Sequence, residues 1–188
     1  EVATATGLDA VIVRTNLRTI EAYRSTDWGQ THGGALAAVA HLLTGSFDRA
    51  VIASSYAWQA DRPWGSHWRI DRRWGSSGLR IDHVDHDFAR AEKVRRIVDD
   101  PLVQRHLLVC WQRRGTPGNC LECPKCVMTM VMVEHFGRLD DFPSLQPRGD
   151  LEARFAALDP DALYAPSLEL IGQGTSEIAA LARSRVAE

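Results

Sequence analysis

The thiols of this chain, Cys110, Cys120, Cys123 and Cys126, all fall in the stretch 107–131, LLVCWQRRGTPGNCLECPKCVMTMV, and three of them form a C-x2-C-x2-C run. Thiolates are soft ligands, and a tetrahedral metal needs four of them converging at ~2.3 Å, which a strand end plus a tight turn entering a helix can supply. The clustering therefore reads first as a metal site. Two other readings stay open: free buried thiols, since Cys is among the most buried residue types, and a pair of disulfides, which belong rather to small secreted domains. Zinc is favoured over iron–sulfur, because the bacterial ferredoxin run requires a further Cys where Met130 stands. Four thiolates leave no open coordination position, so the expected role is structural.

A second set of chemically able residues lies in the run 54–78, SSYAWQADRPWGSHWRIDRRWGSSG. A loop this long inside a domain is usually functional. Trp64 and Trp74 offer faces for a planar ring, the interleaved arginines pair with carboxylate or phosphate, and Gly65 lets backbone amides approach a ligand. His67, Asp71, Ser76, Ser77 and, just beyond, His83 are candidates for hydrogen bonds to a substrate. The same composition also suits a Trp-packed lid or a homodimer contact, and any one loop His or Asp can simply be solvated. Arg90 and Lys93 sit in the first turns of an expected helix, where a cation opposes the helix dipole unless an anion is shared. Pairing with Glu92 or Asp87 is the alternative.

The elements that must position these groups alternate. Asp9 to Thr15 is a β-branched apolar run of the kind found in buried parallel strands, ending at Asn16. Residues 33–43 carry a helical pattern, and Arg49 to Ala53 is a second strand ending in Ser54 and Ser55. Leu79 to Val84 is expected as a third strand, Phe88 to Val98 as a helix capped by Asp87 and stopped by Pro101, and His106 to Trp111 as a fourth strand with Cys110 near its end. Pro124 suits an early helix position, so Cys123 and Cys126 enter a helix that Gly137 closes. This order predicts an α/β fold, a mostly parallel sheet with helices on both faces, whose strand ends place the polar residues on one edge. The expected division is a domain over 1–138 containing the metal site at 110–126, and a helical C-terminal extension over 139–188 with LEARFAALD and SEIAALARSRVA as packing appendages.

Composition sets bounds on partners. With 22 basic against 24 acidic residues the net charge is −2, so the whole-molecule field gives no reason to expect nucleic acid or an anionic membrane. No apolar run approaches bilayer length and the first residues lack a leader pattern, so no membrane partner and a cytoplasmic location are expected. Of the basic residues 20 are Arg, leaving Lys93 and Lys125 conspicuous.

The segments WGQTHGGALAAVAHLL, IASSY, PWGSH, SSGLRIDHVDHD, ARAEKV, and VCW followed by NCLECPKCVMTM together resemble the PP-loop ATP-pyrophosphatase family, adenine nucleotide alpha hydrolases by fold, over most of residues 9–138. The cysteine spacing is also similar to that of 7-cyano-7-deazaguanine synthases, where four cysteines hold a structural zinc. The resemblance implies a Rossmann-like (HUP) sheet and use of ATP and Mg to adenylate a carboxylate or carbonyl oxygen of a small-molecule substrate, with a nitrogen or sulfur nucleophile then displacing AMP. It also implies that Lys93 touches the phosphates, and that Ser55, Trp64, Gly65, Ser66, His67 and Asp71 face the acceptor. His67, Asp71 and Lys93 are then the catalytic candidates, and Asn16, Ser54, Ser55 and Arg90 the cofactor-binding ones. Trp64, Gly65, Ser66, Trp74, Ser76, Ser77 and His83 are the substrate-binding candidates.

The family's SGGxDS loop is absent: Gly33-Gly34 is preceded by His32 and followed by Ala35. The family places that loop before the strand read at Asp9 to Thr15, so the expectation is a longer native product, with these 188 residues alone inactive in adenylation. The contrasting reading is a zinc-containing module that uses the Trp/Arg loop to bind RNA; Asp61, Asp71, Asp82, Asp85 and Asp87 dilute the positive field it needs.

Overall fold

A strand cannot satisfy its own backbone, so an apolar β-branched run becomes one only where a neighbouring edge accepts it. The computed structural model describes residues 1–110, 112 and 118–186, and among them two runs meet that condition. Strand β1 (Arg49–Ala53) pairs in parallel with β2 (Arg80–Val84), Arg49 opposite Arg80 through Ala53 opposite Val84. The architecture is mixed, with this small parallel sheet and a predominance of helix.

Two expected strands are not formed. Residues 9–16 have no regular structure, and Val11, Ile12 and Val13 are exposed, Ile12 by 83%. His106 closes helix α5 (Pro101–His106), and 107–110 run without a ladder because the amides of Val109 and Cys110 donate to the Asn119 side chain instead. Trp111, the expected end of that strand, lies outside the described residues.

The expected helices form with shifted ends. Helix α3 (Trp28–His41) begins before residue 33, because the Asp27 carboxylate accepts from the Gly29 amide at 2.8 Å and supplies an N-cap. Helix α4 (Arg90–Ile97) is capped at Ala89, not Asp87, with the Glu92 carboxylate accepting the Ala89 amide at 2.6 Å. Pro101 does not merely stop this helix. It occupies the first position of α5, behind the Asp100 cap. The short helices α1 (Val2–Thr6) and α2 (Glu21–Arg24) complete the N-terminal part.

The chain divides into two compact units, Leu8–Phe88 and Glu1–Gly7 with Ala89–Glu188. In the first, Ala37, Leu79 and Ile81 form the core between α3 and the sheet. In the second, α6 (Pro124–His135) is the central element: every residue from Val127 to Val133 is buried, as expected for a helix apolar all round. Around it pack α7 (Leu151–Ala156), α8 (Ala165–Gly172) and α9 (Glu177–Arg185), which bring Phe155, Leu168, Ile171 and Ile178 to the same core as Phe142 and Leu145. Residues 139–186 thus contribute to that core through Leu139, Leu151 and Ala182 as well as the side chains just named.

In the Leu8–Phe88 unit the loop after β1 is pinned to α3 by backbone contact. The Gly33 amide donates to the Gly65 carbonyl at 2.9 Å, and the Gly65 amide donates to the Gly29 carbonyl at 2.6 Å. A Cβ on Gly33 would lie 1.9 Å from that carbonyl oxygen, whereas one on Gly34 would meet only the Trp74 ring, at 3.6 Å. Gly33→Ala is therefore expected to destabilise by about 1–3 kcal/mol through forced backbone displacement, while Gly34→Ala, at a helical position with room, is neutral or stabilising by up to about 1 kcal/mol. Urea unfolding of the two variants checks the contrast, and equal effects would remove the close approach as the reason for glycine at 33.

Candidate metal centre and a buried aspartate cluster

The cysteine run folds into a knuckle because three local devices agree. Leu121 takes the left-handed conformation, φ +65°, which turns the chain back between Cys120 and Cys123, and the Arg154 guanidinium donates to the Leu121 carbonyl at 3.4 Å. Cys123 is the N-cap of α6 and Pro124 its first residue, so Cys126 follows in the first turn on the side of Cys123. The Cys123 amide donates to the Cys120 sulfur at 3.3 Å. The fourth thiol comes from the segment before the turn, held there by Asn119. That side chain accepts from the Val109 and Cys110 amides at 2.9 and 3.1 Å and donates to the carbonyls of Leu107 and Ser144 at 2.9 and 3.1 Å.

The result is a buried cluster. Cys110 and Cys123 sulfurs are 4.0 Å apart, Cys120 and Cys126 sulfurs 3.9 Å, and all four lie within 4.8 Å of one another. No disulfide links them. A tetrahedron with metal–sulfur bonds of ~2.3 Å has edges of roughly 3.8 Å, so the four sulfurs have the closeness a single metal ion requires. Burial pushes the thiols of Cys123 and Cys126 up from their usual range; Cys120 adds to the rise at both and Cys123 adds to it at Cys126, while Cys126 works against it at Cys123. Ionising them inside the fold therefore calls for a cation, and a divalent metal supplies it. Lys125, between the last two cysteines, is half-buried; desolvation depresses its pKa and nearby Arg90 adds to that.

In the Leu8–Phe88 unit the structure brings another group of predicted residues together. Asp71 is fully buried and accepts three hydrogen bonds: from Ser66 Oγ at 2.6 Å, the His67 amide at 3.0 Å and His83 Nδ1 at 2.7 Å. Desolvation acts to raise its pKa, but the three donors together outweigh it and hold the carboxyl below 3.8. His67 Nδ1 accepts from the Arg69 amide, so its Nε2 carries the hydrogen that bonds Asp61. Trp68 stacks with the rings of His67 and His86, and Trp64 makes edge contacts with Tyr56 and His32.

The other predicted residues lie elsewhere. Asn16 is exposed at the start of a short 3-10 turn. Ser54 bonds the Tyr56 carbonyl, and Ser55 is half-buried beside it. Trp74, Ser76 and Ser77 are exposed, and Ser76 forms an isolated bridge with Leu79. Arg90 and Lys93 are on α4, in the other unit; Arg90 stacks on Tyr164 at 4.8 Å. Two residues escaped the sequence reading. Asn119 carries no signal beyond its place next to Cys120, and His86 gains its role only through stacking on Trp68.

Asn119→Ala removes four hydrogen bonds from the knuckle and leaves buried amides unpaired, so it is expected to lower the unfolding temperature by several degrees; a melt unchanged within error would show that Asn119 is not the brace. Asp71 titrates lower folded than unfolded, so its stabilisation is complete above pH 3.8 and is lost as pH falls through the folded value. Acid unfolding followed from pH 6 to pH 2 should therefore be shallower in Asp71→Asn than in wild type. Comparison with family models, with curated proteins and with solved structures finds no match to this chain.

Proposed function

We propose that the four cysteines hold one structural zinc ion, and that the chain is part of an ATP-dependent, AMP-forming enzyme of the ligase or synthase type that acts on a small-molecule substrate. The observation that carries the first half is the convergence of four buried sulfurs within 4.8 Å. The donor set favours zinc on chemical grounds: soft thiolates, complete four-coordination, and no fourth ferredoxin-type cysteine. The ion closes the turn between Cys110 and α6 and so fixes the entrance to the helix on which the Ala89–Glu188 core is built.

The second half rests on the resemblance of the PWGSH, ARAEKV and NCLECPKC segments, and on the parallel β1–β2 pair preceded by α3 and followed by α4, which suits a Rossmann-like sheet of which two strands are formed here. In this reading ATP with Mg binds through a phosphate loop that the 188 residues do not contain, and Lys93 and Arg90 assist at the phosphates. RNA binding through the Trp/Arg loop has less support, because the rings of Trp64 and Trp68 are engaged by His and Tyr neighbours within the chain.

Metal analysis of the purified chain should return one zinc per molecule, and Cys123→Ser should lose it with several kcal/mol of stability, since structural zinc binding is folding free energy. Unchanged unfolding with the metal gone would reject the structural role, and iron with visible charge-transfer absorption would reject zinc. Pyrophosphate release from ATP tests the enzyme: it is expected from a native product carrying SGGxDS and not from the 188 residues alone. A carrier of that loop that releases none with any carboxylate acceptor would overturn the adenylating reading.

A further inference from the structure

In the Leu8–Phe88 unit a strand without an edge and an edge without a strand occur in one chain. Residues 8–16 are exposed throughout, and the main chain of 8–14 makes no hydrogen bond among the described residues. Yet Ala10, Val11, Ile12 and Val13 in a row form the pattern of a parallel strand buried on both faces. The edge belongs to β1. The Arg80 amide donates to the Asp48 carbonyl at 2.8 Å, and the Ser54 amide donates to the Val84 carbonyl at 2.9 Å. Alternate residues of a strand turn their amides and carbonyls to the same side, so positions 48, 50, 52 and 54 serve β2 while Arg49, Val51 and Ala53 face the other way. No strand lies on that side among the described residues, and the main chain of Arg49, Val51 and Ala53 has no partner there. Val51 is 56% exposed. Residues 50–53 read Ala-Val-Ile-Ala, with neither proline nor charge to deter pairing.

Each half supplies what the other lacks, and within one copy they do not meet. A twofold axis lets two copies satisfy both halves at once, because a self-complementary surface needs only one copy of each part per chain. We propose that the chain forms a twofold dimer in which residues 9–14 of each copy add in parallel to the β1 edge of the other. Side chains choose the register of such a pairing. Ala10-Val11-Ile12 laid beside Ala50-Val51-Ile52 matches like with like, sets Asp9 next to Arg49, and continues the parallel direction of β1 and β2. The amides of Ala10, Ile12 and Arg14 then donate to the carbonyls of Arg49, Val51 and Ala53, and the amides of Val51 and Ala53 donate to the carbonyls of Ala10 and Ile12. A net charge of −2 offers little repulsion between copies. Each two-stranded sheet gains a third strand, the width at which a sheet is expected to be stable by itself. The inference goes beyond the proposed function and requires neither zinc nor ATP, so the two can fail separately.

The test is analytical ultracentrifugation of the 188-residue chain over a wide range of concentration, joined to residue-resolved amide hydrogen exchange. A monomer–dimer equilibrium is expected. Where the dimer dominates, the amides of Ala10, Ile12 and Val51 should gain protection, while those of Asp9, Val11 and Val13 stay open to exchange. Ile12→Pro and Val51→Pro each delete an amide that both junctions use, and each should weaken the dimer about tenfold or more. Val11→Pro, whose amide faces away from the edge, should leave it within about threefold of wild type. Ile12 stands exposed in a run without regular structure, so its substitution should leave the melting of the monomer unchanged and keeps the test decisive if Val51→Pro disturbs β1. A chain monomeric at every concentration, a dimer indifferent to Ile12→Pro, equal losses from Val11→Pro and Ile12→Pro, uniform protection of residues 9–13, or growth of open polymers in place of a dimer would each overturn the proposal.

Discussion

Four sulfur atoms within 4.8 Å of one another, each at least nine-tenths buried, are the arrangement from which the Ala89–Glu188 unit follows. Burial opposes ionisation of the Cys123 and Cys126 thiols, so holding them as thiolates would call for a cation, and the four sulfurs lie close enough to share one. Such an ion would tie Cys110, which no strand ladder holds, to the first turn of α6. Helix α6 in turn is buried from Cys126 to Val133, and α7, α8 and α9 pack against it. Cysteine knuckle, buried helix and surrounding helices thus form one chain of dependence, in which Asn119 satisfies amides and carbonyls that would otherwise be orphaned on either side of the turn.

The Leu8–Phe88 unit is organised by a different device. Its sheet is only two strands wide, which is marginal by itself, and its long loop gains definition from backbone contact between Gly65 and α3 and from the buried Asp71. One carboxylate fixes Ser66, the His67 amide and His83, and thereby joins the loop to β2. Three hydrogen-bond donors keep the charge ionised in spite of burial. The aromatic stack of His67, Trp68 and His86 then closes over the same place.

Much of this was written in the linear order of residues. Clustered thiols, a proline after Cys123 and a glycine at 137 announce the cysteine knuckle and the helix it enters, because residue type, turn chemistry and helix termination are local properties. The strands β1 and β2, bounded by polar turns, are legible for the same reason. What only the tertiary structure decided is partnership. Residues 9–15 have the composition of a strand yet lie exposed without one, and 107–110 give their amides to a side chain, because a strand is defined by an edge elsewhere in the chain. Likewise nothing in the spacing of Ser54, Trp68 and His83 says that they line one cavity, or that Arg90 and Lys93 belong to the other unit: convergence of residues distant in sequence is set by how the elements pack, and local pattern carries no record of it.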